Sequence, residues 1–577
     1  MNIINTPFSY FGSYMSIKYE NSNPSNTGLF LKSLRAKSRG HMNVLKIIPL
    51  KNNTPIEYTY SADYSSIILS FDGGEISICF DTDSRILLYG KGADVGLRLD
   101  TQPVYNFEFN YYLGTEGNEY SIINSYKNLT KFLVFAPSGK VNLTQNILYD
   151  DTGSTSESEN VSFIDITSSN AEDFKCVIQD IPTHTALPFY KEYDFEECRA
   201  NSQKAFESFC ALQPVVDEKY AKSLLYASYI NWSSTVKPEG YLRRYTMFAS
   251  NNYFLGAWSW DHCFNALGLA GVDNNLAFDQ MEVLYDYQDE LGQIPGSVSD
   301  STLRWNFTKP AVQGLFYSKM MKKMDFTKEQ LESIYSHVEK QVLFYEKYKD
   351  SNNDGIIEYT HGNDSGQDNS TVFKDAIIID SPDLTAFLIK SMDTLSDIAK
   401  KLNNEEGRLY WNNRADELTK KFIDYFIVDN LPVARATRTG EIIHSNALIP
   451  LMSIVLGKRL PDEIRKSMID LLSSKKYLTD WGIASEAIDS DLYQDDAYWR
   501  GPIWAPTTLL LVEAFEDCGE TELAMDIARK YCNLINKSGC AENYNAITGE
   551  ALRDKSFTWT ASTFIYLASK LYKYENK

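Results

Sequence analysis

The chain predicts a mainly α protein, an (α/α)6 toroid preceded by an N-terminal antiparallel β-sandwich. Three observations predict it. Up to about residue 190, short apolar–polar alternating runs are broken by Gly, Asn, Asp and Ser, the period-two pattern of half-buried strands. After residue 195 the apolar spacing becomes helical, with about twelve amphipathic stretches between 217 and 574. No fixed-period repeat accompanies them, which disfavours an open α-solenoid. Twelve helices suit six hairpins closed into a ring.

Within 1–190, the sandwich domain, SSIILSF (65–71), GEISICF (74–80) and FEFNYYLG (107–114) read as strands, and the polar run 150–162 reads as a loop. Residues 191–216 read as a linker helix, centred on the stretch 195–212. Residues 217–577 form the expected catalytic barrel, with clear helices over 327–349, 382–402, 406–427, 502–517, 520–536 and 557–574.

The 577 residues carry 56 Lys+Arg and 77 Asp+Glu, a net charge of −21. That balance opposes nucleic acid and anionic membrane as partners. Hydrophobic residues at 43% and charged residues at 23% exclude wholesale disorder. No apolar run approaches the ~20 residues that span a bilayer, and the start lacks the basic and apolar regions of a signal peptide. The eight Cys form no C-x-x-C, so reduced thiols and a cytoplasmic location are expected. The six scattered His argue against a His-rich transition-metal site.

Four segments carry candidate chemistry. In GAWSWDHCF (256–264), Asp261 is either a helix N-cap or a carboxylate held between Trp258 and Trp260 to accept bonds from sugar hydroxyls. All nine Trp fall in the helical part. Trp258, Trp260, Trp499 and Trp504 lie in loop-like segments and suggest a wall on which a sugar ring stacks. The second segment, 350–370, has two ideas in it. Asp350, Asn352 and Asp354, with Glu358, imitate part of a calcium loop, although position twelve is His361; the alternatives are a polar turn and a structural Ca²⁺ site. Its end, SGQDNS, sets Asp368 in a tight loop before an apolar run, a place that suits a general acid. In YWRGPIWAP (498–506), Gly-Pro starts a helix at Pro502, and Arg500 is a structural ion-pair partner, a ligand to hydroxyls or a group that orients a catalytic carboxylate. In AENYNAITGE (541–550), Glu542 precedes a turn and is by itself only a surface carboxylate.

Taken together, these four motifs resemble glycoside hydrolase family 63, in particular its bacterial α-glucosidase and mannosylglycerate/glucosylglycerate hydrolase-like members, over about residues 217–577. The resemblance implies that Asp368 is the general acid and Glu542 the general base. It implies a sugar pocket lined by Trp258, Trp260, Asp261, Gly366, Tyr498, Trp499 and Arg500. Lys309 stands in KPAVQG where such enzymes often carry Gln-Pro-Pro, on the aglycone side.

The expected function is an inverting, exo-acting α-glycoside hydrolase of α-glucosidase type on a small oligosaccharide or glucoside. Inverting carboxyls stand about 6.5–9.5 Å apart to admit a water. The alternatives are an α,α-trehalase, a glucosylglycerate or mannosylglycerate hydrolase, and a catalytically silent sugar-binding protein. An inverting phosphorylase is disfavoured by the presence of Glu542, and a lyase by the acidic balance and sparse His. No cofactor is expected beyond the structural Ca²⁺, and the oligomeric state is not legible.

Overall fold

A computed structural model describes residues 1–23, 26–35, 42–103, 107–113, 120–146, 160–168, 173–182 and 194–576. The predicted polar loop 150–162 lies outside the described residues as far as 159. Two antiparallel sheets of eight strands each make up the N-terminal part of the described chain. One runs Phe8–Ser9, Met15–Glu20, Gly28–Ser33, Asn43–Lys51, Val95–Asp100, Val161–Thr167, Lys140–Asn146, with Thr54–Pro55 paired to Asn43–Lys51. The other runs Phe109–Leu113, Tyr120–Ser125, Thr130–Ser138, Phe174–Pro182, Arg85–Lys91, Gly74–Thr82, Ile67–Phe71, Thr59–Ala62.

The sheets pack face to face. Leu29, Leu31, Leu97, Leu99, Ile164 and Ile166 of the first meet Ile76, Ile78, Ile86, Leu88, Phe132 and Val134 of the second in one core. The intervening residues Cys79, Leu87, Leu133 and Val177 point to the second sheet's other face. That face is covered by helix α1 (Phe195–Ala211), through Phe195 and Cys198. Both faces are therefore buried, which explains unbroken apolar runs such as RILLY and FLVF. The segment expected to be a linker helix is thus a packed layer of the sandwich.

The helical part contains α2 (Ala221–Ser233), α3 (Asp261–Leu269), α4 (Asn274–Tyr285), α5 (Gln313–Met320), α6 (Lys328–Tyr348), α7 (Pro382–Lys401), α8 (Glu405–Phe426), α9 (Asp462–Leu472), α10 (Ala505–Cys518), α11 (Thr521–Ser538) and α12 (Thr558–Glu575), with a 3₁₀ helix over Ile449–Arg459. Packing contacts run from α3 to α5, α7, the 3₁₀ helix, α10, α12 and back to α3. These six segments are apolar around most of their circumference and correspondingly buried; in α3 every residue is. The other six helices lie against them: α4 on α3, α6 and α8 on α7, α9 on the 3₁₀ helix, α11 on α10, and α2 on α12. Several of these bury a single stripe, as α9 does with Ile464, Met468 and Leu472 at four-residue spacing. Thr327 and Gln330 form a capping box on α6, and Pro382 and Pro506 occupy first-turn positions of α7 and α10. The Gly501-Pro502 pair, expected to start a helix at Pro502, instead precedes the strand Ile503–Trp504, and α10 begins at Ala505.

Among the described residues no helix is long and apolar enough to cross a membrane.

Candidate active site

The segments leading into α3, α5, α7, α10 and α12 converge on one cavity of about 610 Å³. Short antiparallel pairings hold them. Ala257–Trp258 pairs with Ser297–Val298, which pairs with Leu303–Arg304, so Trp258 and Arg304 share one small sheet. Arg304 lies over the Trp258 ring, 5.9 Å from its centroid. Ile503–Trp504 pairs with Asn543–Tyr544, which pairs with Ala551–Leu552, so the approach to α10 carries the loop of Glu542. The Asp368 loop is tied to the approach to α5 where Thr308 N donates to Asp364 Oδ1 at 2.9 Å, and α6 holds the same approach where Tyr345 Oη donates to the Lys309 carbonyl at 2.8 Å.

Of the residues expected in the site, Trp258, Trp260, Asp261, Lys309, Gly366, Asp368, Tyr498, Trp499 and Glu542 all line this cavity. Gly366 has φ +73°, and a Cβ there would stand 2.5 Å from the Trp260 ring, so both the turn and the close approach require glycine. Tyr498 also has positive φ, 64°. Arg500 is not among the lining residues. Its Nε donates to the Asn369 carbonyl at 2.9 Å, while Asn369 Oδ1 accepts from Trp499 N at 2.8 Å. Arg500 thus braces the Asp368 loop from behind. Trp504 is fully buried and stacks flat on Trp499 at 3.9 Å, backing the wall instead of forming it.

The expected calcium loop is a self-satisfied turn. Asp350 accepts from the backbone of Asp354 and Gly355, Asp354 from Ile356 N and Asn352 Nδ2, and Glu358 from Ser351. Among the described residues no three His, Cys, Asp or Glu side chains are grouped to hold a metal.

The carboxylates sit in different environments. Asp368 has a 35% exposed side chain at the cavity and pairs with the buried Lys309 ammonium at 2.8 Å. Lys309 Nζ also donates to the Asn363 carbonyl and Oδ1, at 2.7 and 2.8 Å. Glu542 is 2% exposed. Burial first, then the charge of Asp554, push its carboxyl up to about 8, against a hydrogen bond from Tyr498 and the charge of Arg553. Asp261 is pushed up to about 7 by burial, with Lys309 opposing and Asp368 adding to the rise. Burial and the charges of Glu542 and Asp368 raise the Tyr498 phenol, which places this ring between the two carboxylates electrostatically. A pair of carboxyl groups with differing surroundings around one water-accessible cavity is equipped for general acid–base chemistry.

Sequence reading missed Tyr253, Phe254, Arg304, Phe307, Asn363, Arg553, Asp554, Phe557 and Trp559, which complete the lining. Most lie in irregular loops without periodicity. Among the described residues the buried Trp559 Nε1 has no hydrogen-bond partner, a donor left for a ligand or water.

Comparison with known proteins accords with this geometry. Residues 254–560 match the model of the mannosylglycerate hydrolase MGH1-like glycoside hydrolase domain. Mannosylglycerate hydrolase MGH1 of Selaginella moellendorffii is 22% identical over 53% of this chain and 78% of its own. Mannosylglycerate hydrolase of Thermus thermophilus is 29% identical over a segment that spans 13% of this chain and 19% of that protein. Among solved structures, a GH63 mannosylglycerate hydrolase from Thermus thermophilus in complex with glucose aligns with TM-score 0.53 and 16% identity, over 60% of this chain and 99% of that one. A bacterial glucoamylase complexed with acarbose aligns with TM-score 0.64 and 12% identity, over 99% of this chain and 93% of that one, so the two-part architecture is shared. The chain therefore belongs to glycoside hydrolase family 63, through its mannosylglycerate hydrolase MGH1-like domain.

Proposed function

We propose that this protein is an inverting, exo-acting α-glycoside hydrolase of α-glucosidase type on small α-glycosides, with Asp368 as general acid and Glu542 as general base. The observation that carries it is the meeting of these two carboxylates, 174 positions apart in sequence, in one aromatic-walled cavity. The closed circuit of six packed segments with six outer helices supports reading the helical part as an (α/α)6 toroid, its mouth at the leading ends of the inner helices. With the neighbours described above, burial and Asp554 favour the protonated form of Glu542, while Asp368 accepts from Lys309 Nζ at 2.8 Å. The productive arrangement needs Asp368 protonated and Glu542 ionised, and the two carboxyls share one cavity, so a bell-shaped pH profile reports the pair and not the individual roles.

A second reading is favoured by the cations. Arg304, Lys309 and Arg553 line the cavity beside Trp258 and Asp368. They suit an aglycone bearing a carboxylate, as in glucosylglycerate or mannosylglycerate. Both readings are tested by one panel: α-linked disaccharides including trehalose, glucosylglycerate and mannosylglycerate, with released hexose measured. Hydrolysis of the neutral glucosides at comparable kcat/KM is expected under the first reading. A preference for the glycerates that Lys309→Gln erodes through KM supports the second. No release from any member contradicts both.

A further inference from the structure

The Glu542 loop is tied to the sheet domain by a chain of polar contacts that crosses the two parts of the protein. Lys18 lies on the strand Met15–Glu20 and is 3% exposed. Its Nζ donates to Asn252 Oδ1 at 2.7 Å and to Tyr253 Oη at 3.2 Å, 234 and 235 positions away. Asn252 Nδ2 donates to Asp554 Oδ1 at 3.2 Å. Asp554 is 4% exposed, its other oxygen accepts from Ser250 Oγ at 2.5 Å, and its carbonyl accepts from Glu542 N at 2.8 Å. Asp554 and Tyr253 both line the catalytic cavity. A buried carboxylate with only neutral donors is costly to keep ionised; burial raises the Asp554 carboxyl, and the Lys18 ammonium, one amide side chain away, opposes that rise. Lys18 lies outside residues 254–560, the part matched by the family model.

We propose that Lys18 is a positioning residue of the catalytic site: through Asn252 it keeps Asp554 ionised behind Glu542, so the sheet domain sets the protonation of the proposed base. This rests on the reading of Glu542 given above. The groups facing the relay are few. Glu20 lies 3.8 Å from Lys18 and is paired mainly with Lys32. Around Asp554 stand Ser250, Asn252 and Ser556 N as donors, and Lys18 is a cation that lowers it. Around Glu542 stand Asp554, Tyr498 and Arg553, and Arg553 is itself paired with Asp496 at 2.6 Å. Lys555 also feels Asp554, together with Asp496, Glu550 and Arg553.

The sign follows from these neighbours. Without Lys18, Asp554 takes up a proton over a wider pH range, its repulsion of Glu542 is lost, and Glu542 ionises at lower pH. The test compares wild type, Lys18→Met, Lys18→Arg and Asn252→Leu in the full chain. The readouts are the kcat/KM–pH profile and the infrared carboxyl stretch of protonated Glu542, identified as the band missing in Glu542→Gln. Lys18→Met is expected to move the alkaline limb and the band's titration down by about one pH unit, the low end of the effect of removing a close opposite charge. Lys18→Arg restores the wild-type midpoint. Asn252→Leu, which cuts the relay and leaves Lys18 in place, at the loss of one 3.3 Å bond from Asn252 Nδ2 to the Asn5 carbonyl, shifts in the same direction and decides the matter if Lys18→Met does not fold. Lower activity in Lys18→Met and Asn252→Leu with limb and band unmoved overturns the proposal. A fully active Glu542→Gln instead overturns the role of Glu542, and the infrared titration then judges the relay alone.

Discussion

Glu542→Gln and Asp368→Asn each lower kcat by at least ~10²–10⁴-fold on an unactivated α-glycoside, the usual contribution of a positioned acid or base. Both substitutions keep shape and remove only charge and titration. The fold survives, because Glu542 is held by its backbone bond to Asp554 and by the pairing of Asn543–Tyr544, and Asp368 is partly exposed. The roles separate on an α-glycosyl fluoride, whose leaving group needs no proton. Asp368→Asn recovers most of its activity there. Glu542→Gln does not, because its lesion is the activation of water. Activity within about threefold of wild type on the unactivated substrate removes that residue from the mechanism, since the expected range starts far above it.

The second large effect concerns the fold. Glu513 on α10 is buried between Lys319 of α5, at 3.0 Å, and Lys570 of α12, at 2.5 Å, and accepts from Tyr566 Oη at 2.8 Å. Three inner helices are pinned at this one carboxylate. Burial alone would raise Glu513; Lys319 and Lys570 outweigh it and hold the carboxyl down at about 2. Glu513→Leu leaves the buried Lys319 with only the partly exposed Asp517, at 2.8 Å, and Lys570 with only Glu516, so the cost is a part of the about 3–5 kcal/mol that follows when a buried charge loses its partner entirely. The helical unfolding transition is expected to fall by several degrees. The pH dependence has a definite sign. The folded-state value lies below the unfolded one near 4.5, so the stabilisation is full above that value and is lost as pH falls towards about 2. Thermal scans across that window should show this acid loss in wild type and a flatter response in Glu513→Leu. An unchanged transition at neutral pH would mean that the triad contributes no net stability.

The helices were legible because burial imposes a period. The stretches read at 327–349, 382–402 and 557–574 differ by a residue or so at each end from α6, α7 and α12. The strands were legible for the same reason, although α1 hid one cue by burying the second sheet's outer face as well. Within the site, nine of the eleven wall and catalytic residues named from the sequence line the cavity. Arg500 does not: after the positive-φ turn at Tyr498 its guanidinium goes to the Asn369 carbonyl. Composition shows that a loop is rich in aromatic and charged residues, but the backbone turn decides which of them face the cavity. Trp504 shows the same limit, since it stacks behind Trp499. The segment 350–358 could be read as a polar turn or as a cation loop because Asp and Asn cap turns as readily as they bind cations. The role of Lys18 carried no local signal, as its hydrogen-bond partners Asn252 and Tyr253 are 234 and 235 positions distant.

The division of labour between Asp368 and Glu542 in a single displacement is tested most directly by the anomer first released. Early-time proton NMR, recorded before mutarotation, on the best α-glycoside of the panel should show the β-hexose appearing first. That outcome requires a water on the face opposite the leaving group, activated by a carboxylate set far enough back to admit it. The α-anomer appearing first would mean a covalent glycosyl-enzyme intermediate and a close nucleophile, and would contradict Glu542 as the base.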